Sequence, residues 1–342
     1  MYYDGTKLLS LKDINGNTPE IYICSTNRSA GKTTYFNRWF VKRFLEHDEK
    51  FMLLYRFDYE LADIADKFFK EIKALFYPDL VMTAKKMSRG VYHALYINDK
   101  CCGYAVAINK ADNIKKLSHL FSDVQRILFD EFQSESNHYC PNELVKFQSI
   151  HTSVARGGGD QVRYVPVYML ANNVSMLNPY YVALNISSKL TKAKFLRGDG
   201  FVIEQGFNKE VSDKQKKSGF NRAFSESQYV KYSTENIYLN DNLAFIDKPD
   251  GKSNYLCTLK YGGVNYAVRE YPENGIIFCD KNADNSFKFK VTIDTKDHEI
   301  NYIMLKRNDL LLSSLRWYFE RGLFRFKDLQ CKEVILKALS YY

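Results

Sequence analysis

Residues 20–33 read Glu-Ile-Tyr-Ile-Cys-Ser-Thr-Asn-Arg-Ser-Ala-Gly-Lys-Thr, and this stretch decides the fold. Its first five residues are rich in β-branched and aromatic side chains, which predicts a short strand. From Thr33 to Glu46, Phe36, Phe40 and Phe44 recur on one stripe, which predicts an amphipathic helix. A strand, a turn ending in Gly-Lys-Thr and a helix are the parts of a phosphate-binding loop.

A phosphate-binding loop works through its main chain, because free N–H groups at a helix start cradle phosphate oxygens. The residues that we expect to contact a nucleotide are Arg28, Ser29, Ala30, Gly31, Lys32, Thr33 and Thr34. Lys32 is expected to reach the β and γ phosphates, and Thr33 to bind Mg²⁺. The first position of the G-x-x-x-x-G-K-[ST] pattern is Thr26 instead of glycine, so the first turn of the loop departs from the pattern.

A second apolar run, Ile127 to Phe129, ends in the adjacent carboxylates Asp130 and Glu131. Ligands of open α/β sheets bind where parallel strands end. We therefore expect Asp130 to hold Mg²⁺ and Glu131 to polarise the attacking water. The structural alternative is a strand followed by a capping acid.

Two further polar residues follow predicted elements of the same half. Arg156 ends a predicted helix and precedes three glycines, so it suits an arginine finger acting on a neighbour's γ-phosphate. The alternative role for Arg156 is that of a basic residue at a helix C-terminus, which the helix dipole favours. Arg163 is the competing candidate for the arginine finger. The predicted strand Tyr164 to Leu170 runs on to Asn172, whose amide can sense the γ-phosphate. A plain turn after the strand is the alternative.

The composition is that of a folded globular protein. The 342 residues are 45% hydrophobic and 26% charged, with a formal net charge of +9 that supports a polyanionic partner only weakly. No apolar run approaches the length of a membrane span, so we expect no membrane association. Seven scattered cysteines and six histidines without ligand spacing favour a reduced compartment and disfavour a zinc site.

The pattern of elements predicts two domains and a connector. Strands alternate with helices over residues 1–197, which predicts an α/β domain with a mostly parallel sheet covered by helices. Residues 198–229 are polar and basic, and predict a linker or a small helical connector. Residues 230–342 contain four predicted strands and two closing helices, which predicts an α+β domain.

The order of these features resembles one family, the DNA-packaging ATPases of phi29-type tailed phages. The resemblance lies in the loop Arg-Ser-Ala-Gly-Lys-Thr, in Ile127 to Phe132, in Tyr55-Arg56 before Glu60-Leu61, in Gly103 to Val106, and in Leu170-Ala171-Asn172 with Asn178 to Tyr181 downstream. It implies an additional-strand (ASCE) P-loop ATPase, similar to FtsK/HerA motors, that uses ATP and Mg²⁺. It also implies an RNase H-like second domain that has lost its catalytic acids.

The same resemblance implies partners and a location. The family forms a homo-oligomeric ring, expected to be pentameric, that docks on the portal of a viral procapsid in the host cytoplasm and drives double-stranded DNA into it. A packaging RNA is a further expected partner. Position by position, the resemblance assigns Lys32, Thr33, Asp130 and Glu131 the roles given above, Arg156 the trans finger, and Arg28 a further phosphate contact.

The site that contacts DNA is less defined by the sequence. Residues 109–116 carry Lys110, Lys115 and Lys116 between two predicted strands, as pore loops do, and a solvated surface loop is the alternative. The basic connector with Lys214, Lys216, Lys217 and Arg222 is a second candidate, for DNA, portal or RNA. Two other functions stay open: a terminase-like motor with an active nuclease at Asp247, Asp280 and Asp294, and a structural nucleic-acid-binding protein without hydrolysis.

Overall fold

The computed structural model describes residues 3–136, 138–156, 162–175, 178–184, 186, 194–234 and 244–339. The chain forms two compact units, which do not follow the chain in two simple halves. The first unit takes residues 1–132, 143–173 and 189–237, and the second takes residues 133–142, 174–188 and 238–342. Within the described residues, none of the helices combines the length and apolar character needed to cross a bilayer.

A nine-stranded sheet organises the first unit. Its strands are β1 (Ile21–Thr26), β2 (Lys50–Tyr55), β3 (Met82–Met87), β4 (Tyr92–Ile97), β5 (Lys100–Ala107), β6 (Val124–Phe129), β7 (Val167–Asn172), β8 (Phe195–Gly198) and β9 (Phe201–Gly206). They lie in the order β3-β4-β5-β2-β6-β7-β1-β9-β8. The six strands from β5 to β9 in this order pair in parallel, and β4 and β8 run against their neighbours. The predicted mostly parallel sheet is confirmed.

Helices accompany this sheet. They are α1 (Thr6–Ser10), α2 (Lys32–His47), α3 (Lys70–Phe76), α4 (Ala111–Lys116), α5 (Glu143–Val154), α7 (Lys209–Lys217), α8 (Gly219–Ala223) and α9 (Gln228–Thr234). Phe36 and Phe40 of α2 are fully buried in one core with Tyr22 and Cys24 of β1, so the apolar stripe read from the sequence faces the sheet. This packing fixes the start of α2 beside the end of β1.

The structure differs from the sequence prediction at three places in this unit. Leu61, Ile64, Phe68 and Ile72 recur at helical spacing, which predicts one helix between Asp58 and Pro78. The structure has instead a 3₁₀ turn at Asp58–Leu61, a π-helical turn at Ala65–Phe69 and then α3, and Asp63 between the two turns has a left-handed φ of 57°. Residues 109–116 are the helix α4 with a preceding 3₁₀ turn instead of a loop. The boundary expected after residue 197 falls inside β8, because β8 and β9 extend the sheet beside β1.

The second unit is built on a six-stranded sheet. Its strands are β10 (Asn254–Tyr261), β11 (Val264–Tyr271), β12 (Ile276–Asp280), β13 (Lys290–Thr292), β14 (Ile303–Met304) and β15 (Phe324–Phe326), in the order β14-β13-β10-β11-β12-β15. Strands β10 to β12 are antiparallel, while β13 is parallel to β10 and β14 is parallel to β13. This is the strand order of an RNase H-type sheet, with β15 added beside β12.

Three described helices belong to the second unit: α6 (Pro179–Ala183), α10 (Asp309–Glu320) and α11 (Leu329–Leu339). The apolar side chains Leu312, Leu315, Val334 and Ile335 join a buried core with the strand residue Ile277. The two closing helices and the four longer strands agree with the α+β prediction.

Candidate nucleotide site

The turn between β1 and α2 has the backbone of a phosphate cradle. Ser29 has a φ of 61° and Gly31 a φ of 92°, and α2 begins at Lys32 directly afterwards. Ser29 is a non-glycine residue in the left-handed region, which is uncommon and concentrates at ligand sites. The first N–H groups of a helix have no partner inside that helix, so those of α2 are free for an anion in its first turn.

Thr26, which departs from the glycine of the motif, is accommodated by a glycine on the neighbouring strand. Thr26 is buried and pairs in register with Gly206 of β9. A Cβ atom on Gly206 would lie 2.9 Å from the Thr26 Cγ2 methyl. The missing side chain at Gly206 therefore leaves the space that the threonine methyl occupies.

Lys32 and Asn172, which are both predicted from the sequence to lie near the γ-phosphate, contact each other. The Lys32 Nζ donates a 2.7 Å hydrogen bond to Asn172 Oδ1. Asn172 reaches it because β7 lies beside β1, with Thr26 and Asn172 in register. Lys32 is only 6% exposed, and burial lowers its pKa, while the nearby Asp130 carboxylate opposes that shift.

Asp130 follows β6 and lies near the loop residue that is expected to share a metal ion with it. Thr33 and Asp130 line the same cavity. Burial raises the pKa of Asp130, and Lys32 and Thr33 oppose this shift. A carboxylate and a hydroxyl beside a phosphate cradle are an oxygen donor set that suits Mg²⁺. The residues present therefore fit the expected ion.

Glu131 is exposed and is held by its main chain in an uncommon conformation. Its φ is 56°, and its N–H donates a 2.9 Å hydrogen bond to Asp130 Oδ1. Next to these residues lies a cavity of about 270 Å³. Its lining includes Thr33, Asn37, Tyr55, Glu60, Asp130 and Glu131.

Arg56 positions Glu131, and sequence reasoning did not assign it a role. It is buried at the end of β2, where its Nε lies 2.9 Å from the Glu143 carboxylate. Its two other nitrogens donate to the main-chain carbonyls of Glu131 (3.2 Å) and Phe132 (2.7 Å). The sequence signal for this residue was its position directly after an apolar strand, at the sheet edge where Asp130 also lies. Its partner Glu143 is 87 residues away in the sequence.

The other loop residues make contacts away from the phosphate cradle. Arg28 Nη1 donates a 2.5 Å hydrogen bond to the hydroxyl of Tyr229 on α9, and the guanidinium lies 5.7 Å from that ring centre. The Thr34 hydroxyl donates to Glu71 at 2.7 Å. Asn27 bonds both main-chain groups of Asn208, at 2.8 and 3.2 Å, which ties the loop to the segment after β9.

Arg156 lies away from the site of its own chain. It is exposed just after α5. Its neighbour Ala155 lies near Val124, the first residue of β6, because Arg163 donates hydrogen bonds to the main-chain carbonyls of both residues. This is the amino edge of the sheet, opposite the phosphate loop. Arg163 itself donates to the carbonyls of Val124 and Val154, so it has a structural contact. The three glycines after Arg156 lie outside the described residues.

The lysines proposed for DNA differ in how accessible they are. Lys110 forms a 3.0 Å ion pair with Asp58. Lys115 and Lys116 are exposed at the end of α4. In the connector, Lys214, Lys216, Lys217 and Arg222 are also exposed, on α7 and α8.

The acids of the second unit do not come together. Asp280 ends β12 and Asp294 follows β13, and these strands are three positions apart in the sheet, or about 14 Å. Asp280 forms a 2.8 Å ion pair with Arg269, and Asp247 pairs with Lys327. Across the described ranges, no group of three or more His, Cys, Asp or Glu side chains is placed to hold a metal ion.

The fold and the site define the class. Strand β7 lies between the strand that leads into the phosphate loop, β1, and the strand that ends in the carboxylates, β6. This inserted strand is the mark of an additional-strand P-loop ATPase fold, here joined to an RNase H-type unit. The sequence family of Podovirus DNA encapsidation protein (Gp16) matches residues 1–340, and the chain belongs to that family.

Individual relatives agree with this assignment. The DNA packaging protein of Bacillus phage phi29 is 26% identical over 332 residues, which cover 96% of this chain and 94% of the relative. That of Bacillus phage B103 is 25% identical over 305 residues, covering 88% and 90%.

Two solved structures resemble the whole chain. A chain of the bacteriophage Phi-29 viral genome packaging motor assembly is 25% identical, covers 98% of this chain with 96% of its own length, and has a TM-score of 0.56. The Phi-28 gp11 DNA packaging motor, 16% identical with a TM-score of 0.59, covers 99% of this chain with 96% of its own length and shows the same fold.

Proposed function

We propose that this protein hydrolyses ATP with Mg²⁺ and uses the energy to drive double-stranded DNA into a viral procapsid. The observation that carries the proposal is the cluster in which Lys32 contacts Asn172 while Thr33, Asp130 and Glu131 line one cavity. Phosphates, a metal ion and a water need these donors and acceptors within a few ångströms of each other.

Each residue has a defined task in this reaction. The amides of residues 28–34 and the Lys32 ammonium bind the triphosphate, and Asn172 holds the lysine in place. Thr33 and Asp130 would hold Mg²⁺, which when bound would neutralise charge that develops on the phosphates. Glu131 orients the attacking water, and Arg56 fixes the main chain of Glu131.

Assembly of several copies brings an arginine of one subunit to the nucleotide site of another. Arg156 lies at the opposite sheet edge from the phosphate loop, so it can serve a triphosphate only in a neighbouring copy. A ring of copies, with the pentamer expected from the family, brings one subunit's Arg156 to the next subunit's site. The ring would dock on the procapsid portal in the host cytoplasm, with a packaging RNA as a further partner.

The separated acids of the second unit favour a domain that does not cut DNA over the terminase-like alternative. The intact cradle also disfavours the non-hydrolysing structural protein. Incubation of the protein with plasmid and Mn²⁺ is expected to leave the plasmid uncut. If the plasmid is cut, and Asp280→Asn or Asp294→Asn abolishes the cutting, the terminase-like alternative with an active nuclease is supported instead.

The direct test is ATP turnover with and without double-stranded DNA and portal. Lys32→Ala is expected to abolish turnover by removing phosphate binding. Glu131→Gln is expected to retain ATP binding and to lose turnover by about 10²-fold or more, because only the reacting water loses its partner. Lys42→Ala, on the exposed side of α2, is the control and should behave as the parent. Equal turnover in the parent and Glu131→Gln would refute the proposed site.

A further inference from the structure

The turn between β3 and β4 presents a group of cations at one end of the first sheet. β3 is the edge strand, and its Lys85 and Lys86 are exposed. Arg89 is exposed in the turn that follows. The three side chains lie within five residues, and this region was not a candidate site from the sequence.

The backbone of this turn is unusual. Ser88, Arg89 and Gly90 have φ values of 47°, 57° and 89°, so two non-glycine residues in succession lie in the left-handed region. Gly90 leaves room for the neighbouring lysine, because a Cβ atom there would lie 2.4 Å from the Lys86 Cε atom. The turn therefore holds Arg89 and Lys86 on a defined corner of the sheet.

Sheet topology places this corner near α4. Tyr92, which begins β4, pairs with Val106 near the end of β5, and Met87 pairs with Tyr92. The β3–β4 turn and the segment that leads into α4 thus leave the same sheet edge, one to two strand spacings or about 5–10 Å apart. Lys115 and Lys116 are two further exposed cations, at the end of α4.

These five cations differ from others of the first unit in their charge balance. Across the described ranges, none of Lys85, Lys86, Arg89, Lys115 and Lys116 lies within 4 Å of a carboxylate, whereas Lys110 pairs with Asp58 and Lys50 with Asp123. Lys85 contacts the ring of Tyr96 at 4.7 Å, and Asp112 is the exposed acid of α4. Among the described residues, these five cations therefore carry positive charge that no ion pair neutralises.

We propose that this corner binds the phosphate backbone of double-stranded DNA, with Arg89 and Lys86 as contacts additional to Lys115 and Lys116. Duplex DNA carries one charge per about 1.7 Å of its axis, which complements a compact group of cations. Lysine and arginine on a rigid corner bind phosphates without reading bases, as transport of any sequence requires. The inference rests on the proposed DNA motor and adds a second element to its DNA contact.

A structural explanation makes a different prediction. Lysines on an edge strand also prevent sheets from pairing with each other, and charge of either sign serves that purpose. Replacement of Lys85 and Lys86 by glutamate keeps the edge charged but repels phosphate. This pair of substitutions therefore separates DNA binding from edge protection.

The experiment measures binding of a fluorescent duplex to the full chain over a range of salt concentrations. Arg89→Ala is expected to lower the slope of log K against log salt by about 0.9, and Lys85→Glu with Lys86→Glu to weaken binding by about tenfold or more. The matched control is Arg197→Ala, which removes an exposed arginine from β8 at the other edge of the sheet. Arg197→Ala should bind as the parent does, and unchanged melting temperatures establish that the variants fold.

Two results overturn the inference. The arginine contact is overturned if Arg89→Ala, or Arg89→Gln where the alanine variant is unstable, has the same affinity and salt slope as Arg197→Ala. If the variant with Lys85→Glu and Lys86→Glu binds DNA as the parent does, the two lysines do not contact DNA and only protect the sheet edge from pairing. A parent that hydrolyses no ATP and binds no duplex instead contradicts the proposed function, so the two failures are distinguishable.

Discussion

At the scale of single residues, the nucleotide site consists of polar groups whose charges are held out of water. Lys32 and Asp130 are close to each other, and burial disfavours the charged form of both. The sequence could predict these two residues, because their types and their places after strands belong to a known motif. It could not predict that Gly206 makes room for Thr26, since the two are 180 residues apart and meet only through strand pairing.

Substitution at Gly206 tests this accommodation. Gly206→Ala should destabilise the protein by about 1–3 kcal/mol, because the new methyl would press on the Thr26 methyl in a packed site. Thr26→Gly in the same chain should recover part of this loss, and chemical denaturation of the four members of the cycle measures the coupling. A Gly206→Ala cost that is the same with threonine and with glycine at position 26 would contradict the steric explanation.

The pKa shifts predict a narrowed pH range for nucleotide binding. In the proposed site Asp130 holds Mg²⁺ as a carboxylate, and burial raises the pKa of this group. The affinity for Mg²⁺ and ATP should therefore begin to fall at a higher pH than it would with a surface aspartate as the solution is acidified. Lys32, whose pKa burial lowers, should lose its proton at a lower pH than a surface lysine as the solution is made alkaline. Titration of Mg²⁺-dependent ATP binding against pH measures both limits. Asp130→Asn should remove the acidic limit, and an acidic limit that persists in this variant would belong to another group.

At the scale of elements, the strand ends assemble the site and the connecting segments hold it. Hydrophobic patterning predicted β1, β6 and β7 from their apolar runs and α2 from its apolar stripe. It missed β3, whose residues alternate only weakly and carry two lysines, and it read residues 58–77 as one helix although Asp63 adopts a left-handed backbone. Hydrophobic periodicity does not contain such breaks, because polar contacts decide them. Here the main-chain N–H groups of Arg56 and Phe57 donate hydrogen bonds to the Glu60 carboxylate.

Arg56 connects two of these elements, β2 and the turn after β6. Arg56→Lys keeps the charge near Glu143 but loses the planar donors that reach two carbonyls, so Glu131 should lose its fixed main chain. We expect turnover to fall by about tenfold or more while the affinity for ATP changes little, because the phosphate loop is untouched. Steady-state turnover and equilibrium ATP binding separate the two effects. A parallel loss of ATP affinity and melting temperature would instead indicate a general structural role.

At the scale of the whole molecule, the two units divide the chain in a way that linear boundaries cannot express. Residues 133–142 and 174–188 directly follow the ends of β6 and β7 but belong to the second unit. Within that unit, Gln133 bonds Ser175, and the buried Lys332 of α11 donates to the Ser175 hydroxyl at 3.0 Å. Composition along the chain could place a connector near residue 200, but it could not show that residues 133–142 and 174–188 belong to one unit with residues 238–342.

The arrangement of Arg156 and the carboxylates predicts how mutant subunits complement each other in a ring. A Glu131→Gln subunit keeps its finger but lacks the water-orienting acid, and an Arg156→Ala subunit keeps the acid but lacks the finger. Each is expected to be inactive alone in DNA-stimulated turnover. In an equal mixture, a site is complete when an Arg156→Ala subunit receives the finger of a Glu131→Gln neighbour, which random order gives at about one border in four.

Turnover of such mixtures, compared with each variant mixed with parent subunits, measures this directly. Recovery toward about one quarter of parental activity requires a finger that acts in trans. If Arg156 served the site of its own chain, the mixture would stay as inactive as its components. If Arg156→Ala alone turned over ATP as the parent does, the finger role would pass from Arg156 to another cation, and Arg163 is disfavoured for it because its guanidinium already holds two main-chain carbonyls.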